Sequence, residues 1–191
     1  DFFSYADLVE SVNRMSNIRA IFERRRNTTA YRVTRIDLTT NEQTVIRDDP
    51  EFNSSSHPII TKVVDYGNIF NEGDYATRRR EATAFLANIS QETTGGWPTA
   101  PDGQYAWGLH FREEVGYENC STCLGYRDEN HPIYPPAAGK SYHGRGPIQL
   151  SWNYNYGQMS EFLYGDKTIL INDPDLILAD GALAFQTAIW F

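Results

Sequence analysis

Between residues 98 and 145 the chain shows no apolar periodicity, and glycine and proline recur throughout. Connections in compact domains are short. Loops beyond ~12–15 residues are uncommon, and they are usually functional or tied down. Any fold for this chain must therefore hold a long irregular segment from both sides. The flanks supply the means. Ahead lies "YATRRREATAFLANISQE", residues 75–92, where Ala82, Phe85, Leu86 and Ile89 fall at i, i+3, i+4 and i+7, the stripe of an amphipathic helix. Behind lies "PIQLSWNYNYGQMSEFLYG", which leads into a second helix near 153–164, and a third starts near Asp180.

The N-terminal part reads differently. Leu8, Val12, Met15, Ile18 and Phe22 keep helical spacing with Ser4 as a candidate N-cap, so one or two helices are expected over 4–23. From Thr28 to Arg47 apolar and polar residues alternate around "TTNE", the pattern of a hairpin. Residues 48–58 read as loop, and "IITKVVDYGNIF", residues 59–70, as an apolar segment packing on the body. The chain closes on Ile189, Trp190 and Phe191, which predicts an apolar last turn that further chain or a neighbour covers.

Composition removes whole classes of function. Hydrophobic residues make up 40% and charged residues 22% of the 191, the profile of one globular domain rather than a disordered chain. A formal net charge of -8 argues against nucleic acid or an anionic membrane surface as partner. No apolar run approaches the ~20 residues that span a bilayer. The start, "DFFSYADLVE", lacks the basic and apolar regions of a signal peptide, as in a mature secreted chain or a trimmed one. The 12 Tyr, 10 Phe and 4 Trp are mostly core material, though flat apolar faces also suit sugars.

The chemistry gathers at "SQETTGGW", Ser90–Trp97. Glu92 ends the helix of residues 75–92. The negative end of the helix dipole and apolar neighbours such as Trp97 disfavour a carboxylate there, which is the setting a general acid needs. Gly95 and Gly96 let the chain turn away and leave the acid accessible. Hydrolysis by an acid and base pair needs a second carboxylate, and "WGLHFREEVGY" offers Glu113 and Glu114. In an extended chain these two point apart, and spacing alone does not choose between them. Taken alone, Gln149, Tyr154 and Asn155 read as ordinary capping near a helix start, and both acids read as surface groups.

Taken together, "FLANISQETTGGWPTAPDGQYAWGLHFREE" and "YHGRGPIQLSWNYNYG" closely resemble the signature regions of the glycoside hydrolase family 19 chitinases, from about residue 75 to the end. The resemblance implies a mainly α, lysozyme-like, loop-rich domain, to which the hairpin region 28–58 is an addition, with the C-terminal part of the family domain absent. It implies that Glu92 protonates the glycosidic oxygen. The family's second glutamate stands 22 positions on, and 92 + 22 = 114 selects Glu114 as the base. Ser151 maps to the holder of the attacking water. Gln91, Thr94, Gln149, Tyr154 and Asn155 map to sugar-contacting positions, and Trp97, Trp107 and Tyr134 to aromatics of the cleft. Gln91 stands where the family often has histidine, and Tyr134 where tryptophan is frequent. Both keep the chemical character needed, a hydrogen-bonding group and an aromatic face.

The function so implied is endo-acting, inverting hydrolysis of β-1,4-linked N-acetylglucosamine polymers by a secreted monomer, with chitin or chitooligosaccharides as partner and no cofactor or metal. The alternatives are a chitin-binding protein without turnover and a peptidoglycan hydrolase of the same superfamily. "CSTC" holds the only two cysteines, Cys120 and Cys123. A short-range disulfide is the leading reading, with a zinc site completed by His131 and His143, or free thiols, as alternatives. His143, where the family commonly has tyrosine, reads as cleft wall or packing.

Overall fold

The computed structural model describes residues 2–191. Helix α1 runs Tyr5–Met15, with the Ser4 hydroxyl accepting from the Asp7 N–H at 3.1 Å. The helical reading of 4–23 holds only to Met15. Ile18–Arg25 is strand β1, one of the two inner strands of a four-stranded antiparallel sheet ordered β3-β2-β1-β4, with β2 Tyr31–Asp37, β3 Gln43–Asp48 and β4 Ile59–Asp65. Ile18 and Phe22 fit a helix by spacing. Ladder bonds on both edges of β1, and burial of Ile18 and Ala20 on the same face, outweigh that local preference.

The expected hairpin is β2–β3. Its turn is closed by the Asp37 carboxylate, which accepts from the N–H groups of Thr39 at 2.8 Å and Thr40 at 3.0 Å. The loop after it contains a short helix α2, Pro50–Ser54, in which Phe52 is buried. The segment expected to pack on the body is edge strand β4 followed by a 3-10 turn, Tyr66–Asn68. Only part of it packs. Val64 and Tyr66 reach the core while Ile59, Ile60 and Val63 face outward.

Helix α3 covers Tyr75–Glu92, with Asp74 as N-cap, and the next helix, α4, does not begin until Asn153. The long segment between them is irregular, as expected. Helices α5 Thr168–Asn172, α6 Leu176–Ala179 and α7 Gly181–Trp190 complete the chain. Sheet and helices thus share the molecule, and the β element near the N-terminus is a four-stranded sheet rather than the expected hairpin alone.

Two apolar clusters carry the fold. One unites Tyr142, Leu150, Tyr156, Met159, Leu170, Ile177 and Leu183 around α4 and α7. The other joins the sheet and α1 through Met15, Ile18, Val33, Ile46 and Tyr66. Helix α4 links them, because Tyr156 and Met159 enter the first while Phe162 enters the second, its ring edge-on to Tyr66 at 5.3 Å. Trp190 packs on both clusters and Ile189 on the second. The end of α7 is therefore half-buried against the chain's own body rather than left to further chain or a neighbour, and Phe191, at 71% exposure, stands in water. Helix α3 behaves otherwise. Of its expected apolar stripe only Ile89 is buried, and Leu86 is 40% exposed. Leu86, with Tyr5, Val9 and Phe70, lines an apolar groove of about 500 Å³ between α3 and α1.

Phe162 is fully buried at the meeting point of both clusters. Truncating such a ring removes about 3–5 kcal/mol. Phe162→Ala should therefore lower the melting temperature sharply, whereas Val63→Thr, on the exposed face of β4, should shift it little. Calorimetry on both variants reads the difference. A mild effect of Phe162→Ala would mean that the sheet and the helical body are not one cooperative unit.

Candidate active site

Threonine 93 ties the end of α3 to the segment that carries the second acid. Its buried hydroxyl donates to the Ile89 carbonyl at 2.6 Å and accepts from the Leu109 N–H at 2.7 Å. Its carbonyl accepts from the N–H groups of His110 at 3.3 Å and Phe111 at 3.0 Å. Residues 109–111 are thereby fastened immediately beside Glu92, and Glu114 follows three residues after Phe111. Gly95 and Gly96, expected to supply a turn, work differently. Neither adopts a positive φ, and a side chain on Gly95 would meet the Ala100 Cβ at 2.6 Å, so Gly95 serves close packing of the 93–106 loop.

A second set of backbone bonds places Glu114. Its N–H donates to the Gly144 carbonyl at 2.8 Å, and the Gly144 N–H donates back to its side-chain Oε2 at 3.1 Å. The Tyr126 hydroxyl donates to Oε1 at 2.7 Å. That bond, with partial burial adding to it, pushes the phenol up to about 12, so Tyr126 remains a donor across the working range of pH. Both oxygens of Glu114 are therefore held.

Residues 113, 145 and 150 lie side by side as Glu113↔Arg145 and Arg145↔Leu150 bridges. With adjacent strands ~4.8 Å apart, Ser151 is carried into the neighbourhood of Glu114, two chain widths across. The turn around Ser151 is strained. Gln149 and Trp152, which flank it within two residues, have φ of 52° and 75°, values that cost ~1–3 kcal/mol each for residues of this kind. Strain of this sort persists only where the surroundings over-determine it. Here the Trp152 N–H donates to the Tyr142 carbonyl at 2.9 Å, and the Gly146 N–H to the Arg112 carbonyl at 2.8 Å. The Ser151 hydroxyl donates to the Gln149 carbonyl at 2.9 Å and keeps its lone pairs for another partner.

Glu113 and Glu114 diverge, as alternation predicts. Glu113 reaches His143, Oε2 to Nε2 at 3.4 Å, and the other ring nitrogen of His143 meets the Ser141 hydroxyl at 3.0 Å. His143 is buried and stacked on Tyr117 at 4.4 Å, which fits its reading as packing. Burial, with help from the Arg145 charge, lowers its imidazole to about 4, so at neutral pH it is uncharged and the contact with Glu113 is a hydrogen bond rather than an ion pair. Burial raises the Glu113 carboxyl, against the pull of Arg145 and Arg112.

The remaining candidates fall into three groups. Trp97 packs on Phe111 at 5.8 Å, and Trp107 is edge-on to His110 at 4.2 Å; both rings stay over a third exposed along the loop between the two acids. Gln149, Tyr154 and Asn155 sit with Ser151, and Asn155 donates to the Ser151 carbonyl at 2.8 Å. Gln91 and Glu92 are exposed, and Thr94 is half-buried with no partner for its hydroxyl. The expected apolar shielding of Glu92 is thus absent, because α3 buries only Ile89. Tyr134 departs furthest. At 3% exposure it has no ring face to offer a sugar, and its hydroxyl donates to Glu161 at 2.8 Å. It is a core residue because it lies under α4, beside Gly157.

Sequence reasoning missed Tyr126 and Asn153. Asn153, fully buried at the start of α4, donates to the Tyr134 carbonyl at 2.6 Å and accepts from the Asp128 N–H at 2.7 Å, pinning the 126–134 loop. Only its place in "SWNYNYG" hinted at a role. Cys120 and Cys123 are joined in a disulfide, which removes both thiols from the zinc alternative.

Residues 50–191 match the family model described as Chitinase class I, glycoside hydrolase family 19, and the chain belongs to that family. Endochitinase A2 of Pisum sativum is 52% identical over 126 residues, covering 66% of this chain and 36% of that protein. Inactive chitinase-like protein 1 of Hevea brasiliensis is 53% identical over 119 residues, covering 62% of this chain and 35% of that protein. The chain thus spans about a third of the length of these relatives. A solved structure, the family's class IV chitinase from Zea mays, is 30% identical with a TM-score of 0.48, covering 66% of this chain and 52% of that one.

The lowered imidazole of His143 has a consequence for stability. Below its ordinary value of 6.5 the unfolded chain takes up a proton that the folded one refuses until about 4. Stability attached to this residue is therefore complete above pH 6.5 and drains away as pH falls toward 4. His143→Gln, which cannot titrate, should flatten the stability profile across that window in denaturant melts at successive pH. An unchanged slope would contradict the buried, neutral state.

Proposed function

We propose that this member of the family hydrolyses β-1,4-linked N-acetylglucosamine polymers, cutting within the chain and inverting the anomeric centre. The observation that carries the reading is the grip on Glu114, whose oxygens accept from Tyr126 and from the Gly144 N–H while its segment runs beside that of Ser151. A carboxylate so held is oriented to take a proton from a water. Glu92, free at the end of α3, donates its proton to the glycosidic oxygen. Water on the Ser151 hydroxyl loses a proton to Glu114 and attacks the anomeric carbon from the opposite face as the bond to the leaving sugar breaks. An inverting pair stands ~6.5–9.5 Å apart to leave room for that water. Trp97 and Trp107 offer faces to the sugar rings, and Gln91, Thr94, Gln149, Tyr154 and Asn155 offer hydrogen bonds to hydroxyl and acetamido groups.

On the same reading the protein acts outside the cell as a monomer, on chitin or chitooligosaccharides, without a cofactor or metal. No helix among the described residues is long and apolar enough to cross a membrane. The described segment is one part of a lysozyme-like catalytic domain, and the groove beside Leu86 is a surface that the rest of such a domain would cover. The relative named as inactive favours a second reading, chitin binding without turnover.

Glu92→Gln and Glu114→Gln should each reduce product release from chitooligosaccharides by about 10²–10⁴-fold while leaving oligosaccharide affinity unchanged. Proton NMR of fresh product should show the α anomer first. Retention of configuration would overturn the mechanism. Binding without product release in the unaltered protein would favour the non-catalytic reading.

A further inference from the structure

Beyond the two-acid region lies a cavity of about 740 Å³, within the roughly 300–1,000 Å³ typical of small-molecule sites. One wall is α4, through Tyr154, Asn155 and Gln158, together with His131. The other is the N-terminal sheet and α2, through Thr29, Arg47, Asp49 and Glu51. Thr29, Arg47 and Asp49 precede the segment matched to the family, so part of this cavity is built by chain that the family model does not include. The walls are joined from behind by the Tyr134 hydroxyl, which contacts the Ile46 carbonyl at 3.4 Å and Glu161 at 2.8 Å.

The lining is preorganised. Tyr154 is held between the parallel rings of Trp152, at 5.9 Å and 16°, and His131, at 5.4 Å and 24°. This three-ring stack runs from the Ser151 turn to the cavity. Arg47 spends Nε and Nη2 on Asp49, at 2.9 and 2.8 Å, and lies over the Tyr31 ring, which leaves Nη1 without a partner among the described residues. Asn155 and Gln158 spend their amide nitrogens on the carbonyls of Ser151 and Tyr154, which leaves both amide oxygens as acceptors. Fixed donors and acceptors with an aromatic wall, the mutually cancelling charges of Arg47 and Asp49, and the Glu51 carboxylate as a further acceptor suit a polyhydroxylated ligand. They do not suit an ion or an apolar molecule.

We propose that this cavity is an additional saccharide subsite, built by the N-terminal sheet onto the end of the cleft, that binds a sugar unit of a long chitooligosaccharide beyond those engaged at the two acids. Asn155 joins the two regions, because it lines the cavity and bonds to the Ser151 carbonyl. The inference rests on the chitinase reading above.

The test measures binding of the trimer and the hexamer of N-acetylglucosamine by calorimetry, on the Glu114→Gln background to prevent turnover. Gln158→Ala and Glu51→Ala, two side chains that cross no core, should each weaken the hexamer about threefold to tenfold, the worth of one or two hydrogen bonds, and leave the trimer and the melting temperature unchanged. Hexamer affinity untouched by both variants would overturn the subsite while the chitinase reading stood. Equal weakening of trimer and hexamer would also overturn it. Failure of the parent protein to bind either oligomer would overturn both.

Discussion

The candidate site depends on one buried cation. Arg145, at 3% exposure, sits in the middle of the bridges that align Glu113 and Leu150, and its guanidinium donates to the Ser141 carbonyl at 3.0 Å and to the Tyr156 hydroxyl at 3.1 Å. Asp175 supplies the counter-charge at 2.7 Å from the other side. Asp175 itself stands largely in water, but without it the buried guanidinium would lose its counter-charge, which is destabilising. This arrangement pulls "HGRGP", the start of α4 and the segment before α6 to one point. The backbone around Glu114, Ser151 and Gln149 is aligned by it, and the Glu114 carboxylate is then held by Tyr126 and the Gly144 N–H.

That economy accounts for the irregular appearance of the chain between α3 and α4. A long segment without helix or strand leaves many backbone groups to satisfy. Here they are met by cross-links between distant pieces: Thr93 to 109–111, Glu114 to Gly144, Arg112 to Gly146, Tyr126 to Asn153. The Cys120–Cys123 disulfide closes the tip that follows Glu114. The strained backbone at Gln149 and Trp152 fits the same picture, since a loop fixed at so many points can hold unfavourable angles.

The N-terminal sheet changes the geometry of the body more than its sequence suggests. Packed on α4 through Phe162 and Tyr134, it makes one wall of a cavity whose other wall carries Tyr154 and Asn155. A segment that reads as an addition thereby shares a surface with residues of the signature motif. This is the basis for assigning it a part in recognition rather than stability alone.

The helices α3, α4 and α7 were legible in the sequence, and α3 and α7 also start on local side-chain caps, which α4 lacks. Asp74 and Asp180 stand where the chain must satisfy free N–H groups, and each does so. The turn at Asp37 follows from the same kind of short-range bond. Glu114 and Ser151 became candidates through the resemblance of two motifs to the family 19 chitinases, since spacing alone did not choose between Glu113 and Glu114. The tertiary structure decided the rest. Ile18–Arg25 became a strand because partners lay on both edges, a fact no window of sequence contains. Tyr134 went into the core because α4 passes over it, and Tyr126 became the donor to Glu114 because Asn153 holds its loop in place. Such contacts join residues tens of positions apart, so their energy depends on the closed chain and leaves no periodic trace in the order of amino acids.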